Sequence, residues 1–157
     1  MAAPRLTGLE DEAWQGFLYT HDRLWKEIEA GLARSQVSMA EYSVLALLAR
    51  AGRDGMRMSD LARHRLMSTG GLTRLADRLE RRGLIRRDPT PDDKRGFVSV
   101  LTPEGRTVLR RAWRRHHLDL RRLFFDRLDA KDLADLARIW AKLAPDPDDT
   151  ARDQPTR

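Results

Sequence analysis

The side chains best able to do chemistry in this sequence are cations, and they are unevenly placed. Residues 57–101 carry 11 Lys and Arg against 6 Asp and Glu, and residues 102–128 carry 8 against 3. The flanking stretches are mildly acidic, with 6 against 8 over residues 1–56 and 5 against 7 over 129–157. A basic middle between acidic ends, +6 overall, suits a face turned toward a polyanion, of which nucleic acid is the commonest. A solvated, arginine-rich surface has the same composition. Other chemistries are poorly served. The chain has no cysteine, which removes disulfides, zinc ribbons and thiolate catalysis. It has no phosphate-cradling glycine loop, no nucleophile elbow and no His–carboxylate metal spacing. His116 and His117 are neighbours, so on a helix they point about 100° apart and cannot easily share one metal. The expectation is a non-enzyme, with no catalytic residue, cofactor or metal.

These cations need elements to hold them. A chain of 157 residues fits one ordinary domain, or a small domain with helical extensions. With 41% apolar and 34% charged residues, its helices should be amphipathic. No apolar run approaches the roughly 18 residues that span a bilayer, and Met1 to Glu10 lacks the apolar core of a signal peptide. The protein is expected in the cytoplasm and off the membrane.

From Leu9 to Ala33, Trp14, Phe17, Leu18, Leu24, Trp25, Ile28 and Leu32 recur at helical steps, with His21 on the same stripe. Ser38-Met39-Ala40-Glu41 is a capping box that opens a second helix, ending before Gly52. Arg57 and Met58 form a short strand, Ser59 caps a brief helix through Leu66, and Ser68 caps another through Leu72, Leu75 and Leu79 to Gly83. Two short helices about two residues apart are the sequence form of a helix-turn-helix. The period then changes to two at Leu84 to Arg87 and again at Phe97 to Leu101, which makes a hairpin around a turn-rich Asp88 to Gly96. Thr102-Pro103 starts a helix running to Phe124, and Asp129 caps a last one through Leu133, Leu136, Trp140 and Leu143.

The fold class is therefore mostly α: a winged helix-turn-helix with N- and C-terminal dimerisation helices, in the order α/α/β/α/α/β-β/α/α. Residues 36–102 form the winged domain, 9–35 and 103–144 the helical dimerisation region, and 145–157 a disordered tail. The first and last helices are too apolar to stand alone, and a second copy of the chain is expected to cover them. Packing of the first, fifth and sixth helices within a monomer is the alternative.

At this point the sequence resembles the MarR family, the multiple-antibiotic-resistance-type regulators of bacteria and archaea. The matching residues are Arg86-Arg87 through Asp93-Lys94-Arg95 to Val98-Ser99-Val100-Leu101-Thr102-Pro103-Glu104-Gly105, together with Met58-Ser59-Asp60-Leu61-Ala62 and Ser68 to Leu84. The resemblance spans roughly residues 9–144. It implies a homodimeric, sequence-specific regulator, most often a repressor, with two winged lobes on a pseudo-palindromic duplex. It also places the arginine of the Asp-x-Arg wing tip, Arg95, in or over the minor groove. Asp93 can pair with Arg95 and pre-orient it, or bridge elsewhere in the fold. Lys94, Arg87 and Arg86 are candidate phosphate contacts.

In the helix that would read bases, Ser68, Thr69, Gly70 and Gly71 are small enough to approach them closely. Two successive glycines cost a helix about 1 kcal/mol each relative to alanine, so they call for a reason: close backbone approach to DNA, or a tight helix crossing. Thr73 and Arg74 could reach bases and Arg78 a phosphate, unless these arginines form a solvated face. Many relatives lose DNA affinity when a small phenolic or anionic molecule enters the crevice beside the winged lobe. Its candidate lining here is Trp14, Phe17, His21, Trp25, Tyr42 and Met67, with Arg95 as a further candidate, although an aromatic stripe is more often core. The competing function is an architectural or protein-interaction winged-helix protein without a specific operator.

Overall fold

The computed structural model describes residues 5–65, 69–90 and 93–143, with only the course of the backbone at 62–65, 69, 90 and 93–96. Six helices and three strands follow in the order α1 (Gly8–Ala33), α2 (Met39–Ala51), β1 (Met56–Arg57), α3 (Met58–Arg65), α4 (Thr69–Arg81), β2 (Ile85–Thr90), β3 (Asp93–Leu101), α5 (Pro103–Leu123) and α6 (Ala130–Leu143). A 3₁₀ turn, Phe125–Arg127, separates the last two helices. None of the described helices is long and apolar enough to cross a membrane.

The helix starts are chemically marked. Ser38 Oγ accepts the Glu41 N–H at 3.2 Å while Glu41 Oε2 accepts the Ser38 N–H at 2.9 Å, satisfying two orphan donors at once. Thr7 and Glu10 do the same for α1, a box that the sequence reading passed over. Thr102 Oγ1 accepts the Gly105 N–H at 2.9 Å ahead of Pro103, and Asp129 and Asp132 exchange bonds of 2.8 and 3.1 Å at the start of α6. Behind the caps, Leu32, Val44, Leu45, Leu48, Leu61, Leu72, Leu79, Ile85 and Leu101 have almost no exposed surface. They bring α1, α2, α3, α4 and the sheet onto one core.

The sheet order is β1-β3-β2, antiparallel throughout. Gly55 has φ +67°, and a Cβ there would lie 2.6 Å from the Ser99 carbonyl, so only glycine lets β1 dock on β3. Three local expectations are corrected. The short strand is Met56–Arg57 rather than Arg57-Met58, paired to Ser99 and Val98. The helix after it begins at Met58, which puts Ser59 inside its first turn rather than at its cap. The segment Asp88 to Gly96 is mostly strand rather than loop, with Asp88 opposite Val98, Pro89 opposite Phe97 and a register shift before Thr90 meets Asp93. Proline cannot donate to a ladder, but β2 is an edge strand and the shift falls at Pro89, so the missing N–H costs the sheet little.

The chain divides into two compact units that part between Leu120 and Arg121, a boundary inside α5 that lies well past the end of the winged segment. In the first unit α1 leaves Trp14, Phe17 and Trp25 about half exposed. In the second, α6 has no buried residue, and Ile139, Trp140 and Leu143 are exposed.

Candidate nucleic-acid interface

Helix α4 has two distinct faces. Leu72, Leu75, Ala76 and Leu79 are buried, while Gly70, Thr73, Arg74, Arg78 and Arg81 face outward. An added Cβ at Gly70 would meet no atom within 4 Å. A tight helix crossing therefore does not account for this glycine, and close approach by something outside the fold would. Arg74 is exposed and has no acidic partner among the described residues.

The next turn of α4 is held by ion pairs. Asp77 and Glu80 both bind Arg87 of β2, the latter at 3.2 Å. Arg78 Nε donates to Glu41 Oε1 at 3.0 Å, and Arg82 Nη1 donates to the same oxygen at 3.2 Å. Arg82 Nη2 also reaches the Gln36 carbonyl at 2.6 Å. Glu41 is thus a buried carboxylate, only 5% exposed, that caps α2 with one oxygen and grips the end of α4 with the other. Burial pushes its pKa up, but the Ser38 N–H, Arg78 and Arg82 together outweigh that and hold it below the ordinary carboxylate value. In the sequence, Glu41 is legible only as a capping residue, and nothing near Arg82 marks it. The signal in retrospect is that a capping Glu has a second oxygen that needs a partner once buried.

The strand cations are also paired. Arg86 binds Asp88 through Nε and Nη2 at 2.8–3.0 Å, and its hydrogen bonds and charge hold the Asp88 carboxyl below its usual range. Arg86 remains about half exposed, whereas Arg87 is mostly covered. Thr69 opens α4, and Asp93, Lys94 and Arg95 open β3 at the hairpin tip. The side chains of these four lie outside the described residues, as does the pairing expected between Asp93 and Arg95. Ser68 and Met67 lie outside them entirely.

The residues expected to line an effector crevice do not gather in one place. Trp14, Phe17, His21 and Trp25 form a ladder along α1 with ring centroids 5.7–6.1 Å apart, and His21 Nδ1 lies 3.0 Å from Asp22. Tyr42 belongs to a different feature, a cleft of about 760 Å³ between α2 and α5. Tyr42 packs against His116 at 4.9 Å, Trp113 against His117 at 3.9 Å, and Arg50 contributes a cation. The buried Nδ1 of His116 has no hydrogen-bond partner. Desolvation, reinforced by the charge of His117 and opposed by Asp119, holds the His116 pKa below its ordinary value. Sequence spacing pointed to none of Arg50, Trp113, His116 or His117 as lining, because their convergence depends on how α2 crosses α5.

Comparison with known proteins places this geometry. Residues 35–96 match the profile of the MarR family. The multiple antibiotic resistance protein MarR of Salmonella typhimurium is 31% identical over 114 residues, covering 73% of this chain and 78% of that protein. AbsC, a MarR family transcriptional regulator from Streptomyces coelicolor, superposes with a TM-score of 0.86 at 31% identity, covering 97% of this chain and all of that one. Sco3205, a MarR family regulator from the same organism solved in complex with DNA, gives 0.81 at 32% identity over 94% and 96% of the two chains. The chain belongs to the MarR family, as a winged helix-turn-helix transcriptional regulator and not an enzyme.

Proposed function

We propose that the protein is a homodimeric, sequence-specific DNA-binding repressor whose α4 helices enter adjacent major grooves while the β2–β3 wings reach the minor groove. The observation that carries this reading is the outer face of α4, where Gly70 has open space around it and Arg74 is exposed with no acidic partner among the described residues. Thr73 and Arg74 address base edges, and Ser68, Thr69, Gly70 and Gly71 keep the approach close. Phosphates are met by Lys94, by Arg86 and by the half-exposed Arg78, whose Nε alone is committed to Glu41. Arg87, drawn under the wing by Asp77 and Glu80, acts more as a brace than as a contact. Arg95 is assigned to the minor groove, with Asp93 beside it.

The second copy covers the aromatic ladder of α1 and the apolar face of α6, so that residues 36–102 read DNA while 9–35 and 103–144 dimerise. A small aromatic acid is the effector, seated between α2 and α5, where Tyr42, Trp113 and His117 offer ring faces and Arg50 a counter-charge. The test is fluorescence anisotropy with duplex from upstream of the protein's own gene beside a shuffled duplex, at two salt concentrations. A preference of ~10³-fold or more supports an operator, and its loss on adding benzoate or a phenolic acid supports the effector. Equal, steeply salt-dependent binding to both duplexes and to random genomic fragments would refute sequence specificity.

A further inference from the structure

The described surface carries a second concentration of positive charge, remote in sequence from α4 and within the stretches assigned above to dimerisation, where no role was given to its arginines. A cleft of about 520 Å³ lies between the end of α1 and the first half of α5. Arg34 and the buried Ser35 line one side, and Arg110, Arg111, Arg114 and Arg115 line the other. Among the described residues, one of the five guanidiniums is paired with a carboxylate: Arg115 Nε donates to the buried Asp119 at 2.8 Å. Arg110 bonds the Thr107 hydroxyl at 3.0 Å, a neutral partner. Arg34, Arg111 and Arg114 have no acidic partner among the described residues.

This arrangement is unfavourable for the helix that carries it. Arg110 and Arg114, and likewise Arg111 and Arg115, are like charges at i,i+4, a spacing that destabilises an isolated helix. Guanidiniums lining one concavity also repel one another across it. A compact polyanion reverses both effects, since each arginine can offer paired N–H donors to phosphate oxygens. A second feature narrows the chemistry. Arg110 and Arg114 also border a cleft of about 360 Å³ lined by Leu109 and Trp113, with the indole half exposed beside His117. Phosphate-binding cations beside an open indole face are suited to a ligand with a phosphate chain at one end and a flat ring at the other.

We propose that the α1–α5 cleft is a binding site for a small polyphosphate ligand, with a nucleoside polyphosphate as the class that fills both clefts. Its arginines are separate from the α4 face and from the α2–α5 cleft, with which the site shares only Leu109 and Trp113, and it stands whether or not an operator is found. The phosphates sit among Arg34, Arg111 and Arg114, and the base lies on Trp113.

The test is a titration of the full-length protein with a fluorescent ATP analogue at fixed ionic strength, competed by ATP and by inorganic tripolyphosphate. Saturable binding is expected, at least about tenfold weaker in Arg111→Ala/Arg114→Ala because two charge-assisted contacts are lost. Arg5→Ala/Arg53→Ala, with the same change in net charge at exposed sites, should bind as the wild type does. Trp113→Leu should lose the advantage of ATP over tripolyphosphate while tripolyphosphate still binds. Equal competition by the two anions in the wild type would assign the site to the phosphate chain alone and overturn the nucleoside assignment. Thermal melts check that each variant folds; Arg111 and Arg114 have no acidic partner to lose among the described residues. No saturable binding, or equal weakening in both double variants, overturns the proposal. So does a double variant at 111 and 114 that loses only duplex DNA affinity or dimer mass, since the arginines would then serve a DNA backbone or a second copy.

Discussion

Removing the Glu41 carboxylate should do more damage than its surface-chemistry appearance suggests. In Glu41→Ala the capping box of α2 loses its N3 partner, worth about 1 kcal/mol. The hydrogen bond from Arg82, whose side chain is one-third exposed, contributes about 1.5 kcal/mol as a charge-assisted bond. Arg78 is half exposed and can be resolvated, so its bond is discounted to about 0.5 kcal/mol. The expected loss is about 3 kcal/mol in all, or a fall in Tm of roughly 6–12 °C for a chain of this size. Glu41→Gln keeps the shape and one acceptor oxygen and should lose about half as much. Because the folded-state pKa of Glu41 is lowered, its contribution is fully present above the unfolded carboxylate value and is lost as pH falls through the folded one. The gap between wild type and Glu41→Ala should therefore narrow as the pH falls through the lowered folded-state value, leaving the part due to packing. Urea denaturation followed by circular dichroism at pH 7 and under acid reads both effects. A Glu41→Ala variant within about 0.5 kcal/mol of wild type at pH 7, or a gap that does not narrow in acid, would sink the account of Glu41 as the fastening between α2 and α4.

Other substitutions separate folding from recognition. Gly70→Ala meets no neighbour and should stabilise the helix by up to about 1 kcal/mol while weakening operator binding; unchanged anisotropy would show that DNA does not approach there. Arg95→Ala should weaken specific binding and reduce the salt slope by about 1, and a slope equal to wild type would remove Arg95 from the groove. Gly31→Ala drives a methyl into the Asp119 carboxylate, so a loss exceeding about 2 kcal/mol is expected from overpacking beside a buried ion pair. An unperturbed melting curve would mean that α1 does not press on α5 at this point. Light scattering should give twice the chain mass, and a strictly monomeric species at micromolar concentration would refute dimerisation through α1 and α6.

What the sequence made legible was whatever depends on near neighbours. Ser38 with Glu41, Thr102 with Pro103 and Asp129 before its helix all marked helix starts, because a cap is settled within three or four residues. The α4 helix and the paired strands were legible from a change of period. The length of the wing was not, since Pro89 reads as a breaker until the sheet order makes β2 an edge. Nor was the grip on α4, in which Arg78 reaches a partner 37 residues away. The arginines of α5 were counted as part of a basic middle, but their cleft needs Arg34 and Ser35 from the far end of α1, and composition carries no such information.

The pairing of Glu41 with Arg78 and Arg82, and of Asp77 and Glu80 with Arg87, has a mechanical corollary. Among the described residues, every ion pair on α4 lies in its last turns, while the rest of its inner face is apolar contact, which has no fixed direction. Thirteen residues make a rod about 20 Å long. The ionic end acts as a fulcrum, so a tilt of about 5° there sweeps the glycine end through about 1.7 Å over that length. That is half a hydrogen bond's reach, enough to make or lose a base contact. A ligand that shifts α2 by a small angle at Glu41 would thus be read out, amplified, at the opposite tip.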